Sequence, residues 1–223
     1  MPALASARGE GKRISCQNNL KQLSACVQMY AADSEGKLPP NNPGGRSAEE
    51  AWVAGNMVLP QDATNQTLIR QGKLFPYANH VSLYHCPADQ SQTKGALRVR
   101  SYSMNGWIGS RYMDAFLQAP KFRTFVRETE LTAASPANLW LILDEHEATI
   151  DDSWFLVNMD SSPPSASLPA SRHNHGYDLN FGDGHVELYR LHDADSQNLA
   201  IAEPRLSARN SDWLRLKEVT TVR

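Results

Sequence analysis

Ile14-Ser-Cys-Gln-Asn-Asn-Leu-Lys-Gln-Leu-Ser-Ala-Cys-Val-Gln-Met-Tyr30 is written for a helix that lies on something. Cys16, Leu20, Leu23, Val27 and Tyr30 recur at alternating steps of four and three, which sets them along one face. Gln17, Asn18, Lys21, Gln22 and Gln28 fill the other faces, so one side is to be covered and the rest is not. The pattern predicts a helix over 4–32. It stops near Ala32-Asp-Ser-Glu-Gly36, where glycine supplies a left-handed cap and Pro39-Pro40 forbids continuation.

The partner of that stripe is to be sought among strands downstream. Leu139-Trp-Leu-Ile-Leu143 is apolar at consecutive positions, the pattern of a strand covered on both faces, and is expected to be the central one. Tyr177-Asp-Leu-Asn-Phe181 alternates strictly, Asp183-Gly184 reads as a type I′ turn, and Val186-Glu-Leu-Tyr-Arg190 returns, which predicts a hairpin. Ser101-Tyr-Ser-Met-Asn-Gly-Trp-Ile-Gly109 reads as a strand turning at Asn105-Gly106, and Trp154-Phe-Leu-Val157 as another. Between these fall short helices over 47–54 and 64–71 capped by Ser47 and Thr64, a packed turn at 74–77, a strand over 81–86 ended by Pro87, and a Ser/Pro loop over 161–170. Trp213, Leu214 and Leu216 mark a terminal helix. One long helix followed by short strands and loops is an α+β order, with the helix on an antiparallel sheet.

The 223 residues suffice for one domain with a sizeable core. A formal charge of -2 and a pI near 6.4 supply no general attraction to nucleic acid or to an anionic membrane. Three cysteines, Cys16, Cys26 and Cys86, form no C-x-x-C pair, which argues against a zinc knuckle. Cys16 and Cys26 lie about 15 Å apart on an intact helix, so a disulfide, if one forms, joins Cys86 to the helix.

Chemistry concentrates in His173-Asn-His175, Asp183-Gly-His185 and Asp144-Glu-His146. On a strand, His173 and His175 project to one side, and Asp183, His185, Asp144 and His146 are further candidate ligands for zinc or a similar ion. A plain turn with histidines bonded to the backbone explains the same residues. Calcium is the second ion to weigh, through Asp144, Glu145, Asp151 and Asp152, although no EF-hand spacing exists. G-x-S-x-G and Gly-rich phosphate loops are absent, and Cys86 beside His85 faces the wrong way on a strand to form a thiolate pair.

Several of these stretches together resemble the pilin-like proteins of the type IV pilus and type II secretion pseudopilin class. More narrowly, they resemble the bacterial branch with a His, nine residues, then Asp-Gly, here His173 to Asp183-Gly184. The resemblance is carried also by Arg13-Ile-Ser-Cys-Gln-Asn-Asn-Leu-Lys-Gln-Leu23, Met29-Tyr30, Cys86-Pro-Ala-Asp89, Ser101-Tyr-Ser-Met-Asn105 and Asp144-Glu-His146, in order along the chain.

The resemblance implies a pilin-like fold in two parts: residues 1–35 as the lower half of the pilin helix, and 36–223 as an α+β head. It implies a structural, non-enzymatic subunit of a pilus or pseudopilus with no cofactor. Its partners would be other pilin or pseudopilin subunits, the prepilin peptidase and the inner-membrane assembly platform. Its place would be the bacterial cell envelope, held by a membrane-spanning half-helix that this sequence does not contain, with Arg8, Lys12 and Arg13 as the interfacial end. Two other readings compete. One is a metal-dependent hydrolase using His173, His175, Asp183 and His185; the other is a carbohydrate-binding or adhesive module presenting some of the five tryptophans.

Overall fold

The computed structural model describes residues 2–47, 49–117, 121–164, 166–199 and 205–223. Helix α1 spans Pro2–Asp33. It closes as its sequence requires, with Gly36 at a φ of 77° and its N–H donating to the Ala31 carbonyl at 2.8 Å. Cys16, Leu20, Leu23 and Val27 are buried, and Tyr30 is half-buried against the edge of Tyr77. Ser24, Cys26 and Ala31 are buried too, so the covered stripe is wider than the apolar one.

A small hairpin pairs β1 (Gln92–Thr93) with β2 (Ala96–Leu97). The main sheet is built from β3 (Tyr102–Asn105), β4 (Trp140–Asp144), β5 (Trp154–Phe155), β6 (Gly176–Phe181) and β7 (Val186–Arg190), in the order β5-β3-β4-β6-β7. The apolar run is therefore the middle strand, and all its residues are buried. Every pairing is antiparallel except β3 with β5. Helix α1 lies on one face, chiefly along β6. The C-terminal helix Ser211–Glu218 belongs to the other, where Trp213 and Leu216 join Trp140, Leu143, Phe155, Tyr177, Leu179 and Phe181.

This arrangement decides what the alternation in β6 means. Tyr177, Leu179 and Phe181 serve the cluster opposite the helix, and the polar positions turn not to water but to α1. Gln17 Nε2 donates to Asp178 Oδ1 at 3.0 Å, and Asn180 Nδ2 donates to the Leu20 carbonyl at 2.8 Å. Asn180 Oδ1 also accepts from the N–H of Ile142 at 2.8 Å, where the β4–β6 register shifts. Replacing Asn180 by Leu puts a branched apolar side chain, somewhat larger, in the same place and strips that N–H of its acceptor. The expected loss is about 1–3 kcal/mol, read as a lower urea midpoint; no change would mean that another acceptor takes over.

Several local expectations fail for tertiary reasons. The stretch 47–54 is no helix, residue 48 aside, which lies outside the described residues. Ala51 instead bridges Asn41, and Trp52 is drawn into the core, its ring stacked on Tyr84 and its indole donating to the Ser153 carbonyl. The helix foreseen over 64–71 spans Gln66–Arg70 and is capped by Asn65, not Thr64. The turn at 74–77 becomes the helix Phe75–Ala78, and the strand at 81–86 is a 3-10 helix, Val81–Tyr84. The hairpin turn is not type I′: Gly184 N–H donates to the Phe181 carbonyl, and only Gly184, at a φ of 92°, is left-handed. All five tryptophans are buried, Trp154 the least at 9% exposed, so they offer no ring face to a sugar.

Candidate functional site

Four distant segments meet where α1 crosses the start of β6. Helix α1 brings Cys16 on its buried stripe, and the end of β4 brings Asp144. Cys86 arrives just after the 3-10 helix, its N–H held by Ser101 Oγ at 2.6 Å. His173 stands in the turn before β6, its N–H bonded to the Gly176 carbonyl. The Cys16 and Cys86 sulfurs, an Asp144 oxygen and a His173 ring nitrogen all lie within 4.8 Å of one another. Each of the four residues is at most 4% exposed.

The contacts are specific. His173 Nε2 is 3.3 Å from Cys86 Sγ, 3.4 Å from Asp178 Oδ2 and 3.8 Å from Asp144 Oδ2. Tyr102 donates its hydroxyl to Cys16 Sγ at 3.1 Å. Arg172 closes the site from behind. Its guanidinium binds Asp144 Oδ1, donates to Glu147 Oε2 at 3.0 Å and to the Glu145 carbonyl at 2.9 Å, and reaches Asp89 Oδ1 at 3.5 Å. The second oxygens of Asp144 and Asp178 have no hydrogen-bond partner, although both are buried.

Burial dominates the electrostatics, and the charges sort what it leaves. Burial opposes ionisation of Cys86, but hydrogen bonds with Cys16 and His173, together with the positive charge of Arg172, outweigh it and bring this thiol down to about 4. Burial, then the bond to Cys86, pushes Cys16 up. Burial likewise pushes Asp144 up despite Arg172, and raises Asp178 to about 6 against the pull of His173. With every thiol enclosed, a substrate has no route to them; the set suits ion binding or sulfur–sulfur chemistry.

The residues singled out as ligands from the sequence are not brought together. Only His173 and Asp144 belong to the cluster. His175 is exposed in a turn at a φ of 57°, with Nδ1 3.3 Å from the Gln197 carbonyl, so the two histidines do not share a strand face. Asp183 and His185 pair with each other at 2.6 Å on the exposed hairpin tip, the imidazole stacked on Phe181. His146 is buried and accepts from the Ala148 N–H, and burial pushes its pKa down. No four-carboxylate calcium site forms either. Glu145, pushed up to about 8 by burial, accepts from Thr149, while Asp152 accepts from the N–H groups of Gly44 and Trp154.

The spacing from His173 to Asp183-Gly184 has a structural meaning. Its middle is β6, six residues or about 20 Å of extended chain. The histidine marks the cluster end and the glycine the far end, where a Cβ on Gly184 would sit 3.3 Å from Gln28 Nε2 of α1. The motif measures the strand that the helix lies on. Cys16, Cys86, Arg172 and Asp178 are not among the ligands named from the sequence, where Cys16 and Cys86 figure only in the helix stripe and a conditional disulfide. The available signals were an acid at a polar position of an alternating strand and a cysteine on an apolar helical stripe.

A family model described as "Protein of unknown function (DUF1559)" matches residues 5–125, just over half of the 223-residue chain. No curated protein and no solved structure matches.

Proposed function

The chain belongs to the DUF1559 family of proteins of unknown function, and from that premise we propose that it is a non-enzymatic, pilin-like subunit of a bacterial envelope filament of the type IV pilus or type II secretion pseudopilus kind. The observation that carries this reading is the division of α1. From Cys16 onward its stripe is buried on the head, whereas Leu4, residues 6–12, Ile14 and Ser15 are exposed. The helix before Arg13 is thus left uncovered by its own domain, steadied among the described residues by the Arg13–Glu10 ion pair. A helix of that kind gains most from lying beside other helices.

The subunit-facing positions are then Asn18, Lys21 and Gln22, which are exposed, together with Leu4 and Ile14. Gln17 drops out of that set, because its amide is committed to Asp178. The other partners are the prepilin peptidase and the inner-membrane assembly platform, with the head outside the inner membrane. No helix among the described residues is long and apolar enough to cross a membrane. The membrane-held part on this reading lies upstream of the uncovered helix.

The test uses the gene with its native upstream sequence, expressed in the source bacterium. The expected result is a basic leader and an apolar segment upstream, prepilin peptidase cleavage, membrane fractionation, and a ladder of covalent multimers when Asn18→Cys and Gln22→Cys are oxidised. An upstream sequence without such a segment, with a chain that stays monomeric and outside the membrane fraction, overturns it.

A further inference from the structure

We propose that Cys16, Cys86, His173 and Asp144 form a closed structural site for a thiophilic divalent metal ion, zinc foremost, that fastens helix α1 to the head. Two sulfurs, one imidazole nitrogen and one carboxylate oxygen are a four-donor set of the kind that holds zinc in tetrahedral sites, and soft thiolates select against calcium and magnesium. Around such an ion the donors stand about 3.3–3.8 Å from one another. Here all four lie within 4.8 Å, with the sulfur–nitrogen pair at 3.3 Å and the nitrogen–oxygen pair at 3.8 Å.

A second observation points to the ion independently of that proximity. Asp144 is completely buried, its Oδ1 is held by Arg172, and its Oδ2 is aimed at His173 Nε2 with no hydrogen-bond partner. An unpartnered buried carboxylate oxygen is costly. A metal ion in the space between the four donors removes that cost. Outer contacts have the arrangement that orients ligands: Tyr102 donates to Cys16, Ser101 holds the Cys86 backbone, and Arg172 pins Asp144.

Two thiolates and Asp144 bring three negative charges against the ion's two positive ones, and Arg172, which also faces Asp89 and Glu147, adds a positive charge beside Asp144. Asp178 flanks the site with Oδ1 taken by Gln17, and Asp89 and Glu147 lie on the far side of Arg172. A disulfide between Cys16 and Cys86 uses two of the four groups and leaves Asp144 Oδ2 as it is. A catalytic thiol needs access that these lack. Because the ligands come from positions 16, 86, 144 and 173, the ion would tie the stem helix to three separate parts of the head.

The whole chain, purified under reducing conditions without chelators, is expected to carry about one zinc ion by elemental mass spectrometry. Replacement by cobalt(II) should give a thiolate-to-cobalt charge-transfer band with the visible bands of a tetrahedral site. Both signals should vanish in Cys86→Ser and persist in Cys26→Ser, whose thiol is buried elsewhere on the helix. EDTA should lower the melting temperature of the unmodified protein and zinc should restore it. The cobalt spectrum needs no variant, so misfolding of Cys86→Ser leaves the test intact. Folded protein with less than about a tenth of an equivalent of any transition metal and no cobalt bands overturns the proposal. So does calcium-only binding, or a Cys16–Cys86 disulfide in protein exposed to zinc.

Discussion

Arg172→Met should destabilise the protein by about 3–5 kcal/mol, seen as a drop in urea midpoint at unchanged slope. The side chain is 8% exposed and a single guanidinium faces three carboxylates: Asp144, Asp89 and Glu147. Asp144 and Asp89 are as good as fully enclosed. Methionine fills much of the space and removes the whole charge. The cost is then the desolvation of carboxylates that have lost their counter-ion, together with the Glu145 carbonyl that loses a donor. Arg172→Lys should fall between, since an ammonium keeps the charge but cannot span three carboxylates with a fixed fork. A loss below about 1 kcal/mol for methionine would mean that the acids are hydrated or neutral without Arg172.

Leu23→Ala should cost about 2–5 kcal/mol, measured the same way. Leu23 is completely buried in the cluster that joins α1 to the sheet, with Leu20, Val27, Met104, Leu141 and Ile142. Deleting its isobutyl group leaves a cavity between helix and sheet, and neither element can move to close it without disturbing the Asn180 and Gln17 bonds. A cost under half the lower bound would show that helix and sheet close over the lost side chain.

Periodicity carried the large elements because burial was continuous along them. The stripe from Cys16 to Val27, the run Leu139–Leu143 and the hairpin about Gly184 each repeat one local rule over five or more residues, and the structure keeps all three. Where one long-range contact outweighs a weak local preference, the reading failed. Trp52 is such a place: its ring goes under Tyr84 and unmakes the helix its neighbours allow. Thr64 is another, because its hydroxyl bonds back to the Pro60 carbonyl and Asn65 does the capping.

The candidate site was legible only in pieces. His173 was marked because two histidines one residue apart are visible in one dimension, and Asp144 because Glu145 and His146 follow it. Cys86 was tied to the helix only as a conditional disulfide partner. His175, His185, Asp183 and His146 were marked for the same one-dimensional reason, and each is satisfied locally or on the surface instead.

By itself, then, the sequence determined a long helix with one covered face, a fully covered central strand, a hairpin and the α+β order, because those follow from side-chain periods of 3.6 and 2. Tertiary structure alone decided which way the polar side of β6 points. Two apolar surfaces, α1 and the terminal helix, compete for the two faces of one sheet. Leu179 and Phe181 went to the terminal helix, which delivered Asp178 and Asn180 to α1. From that choice come the buried thiol, imidazole and carboxylate groups at Cys16, Cys86, His173 and Asp144. Positions so far apart in the chain share no local rule, and only packing could assemble them.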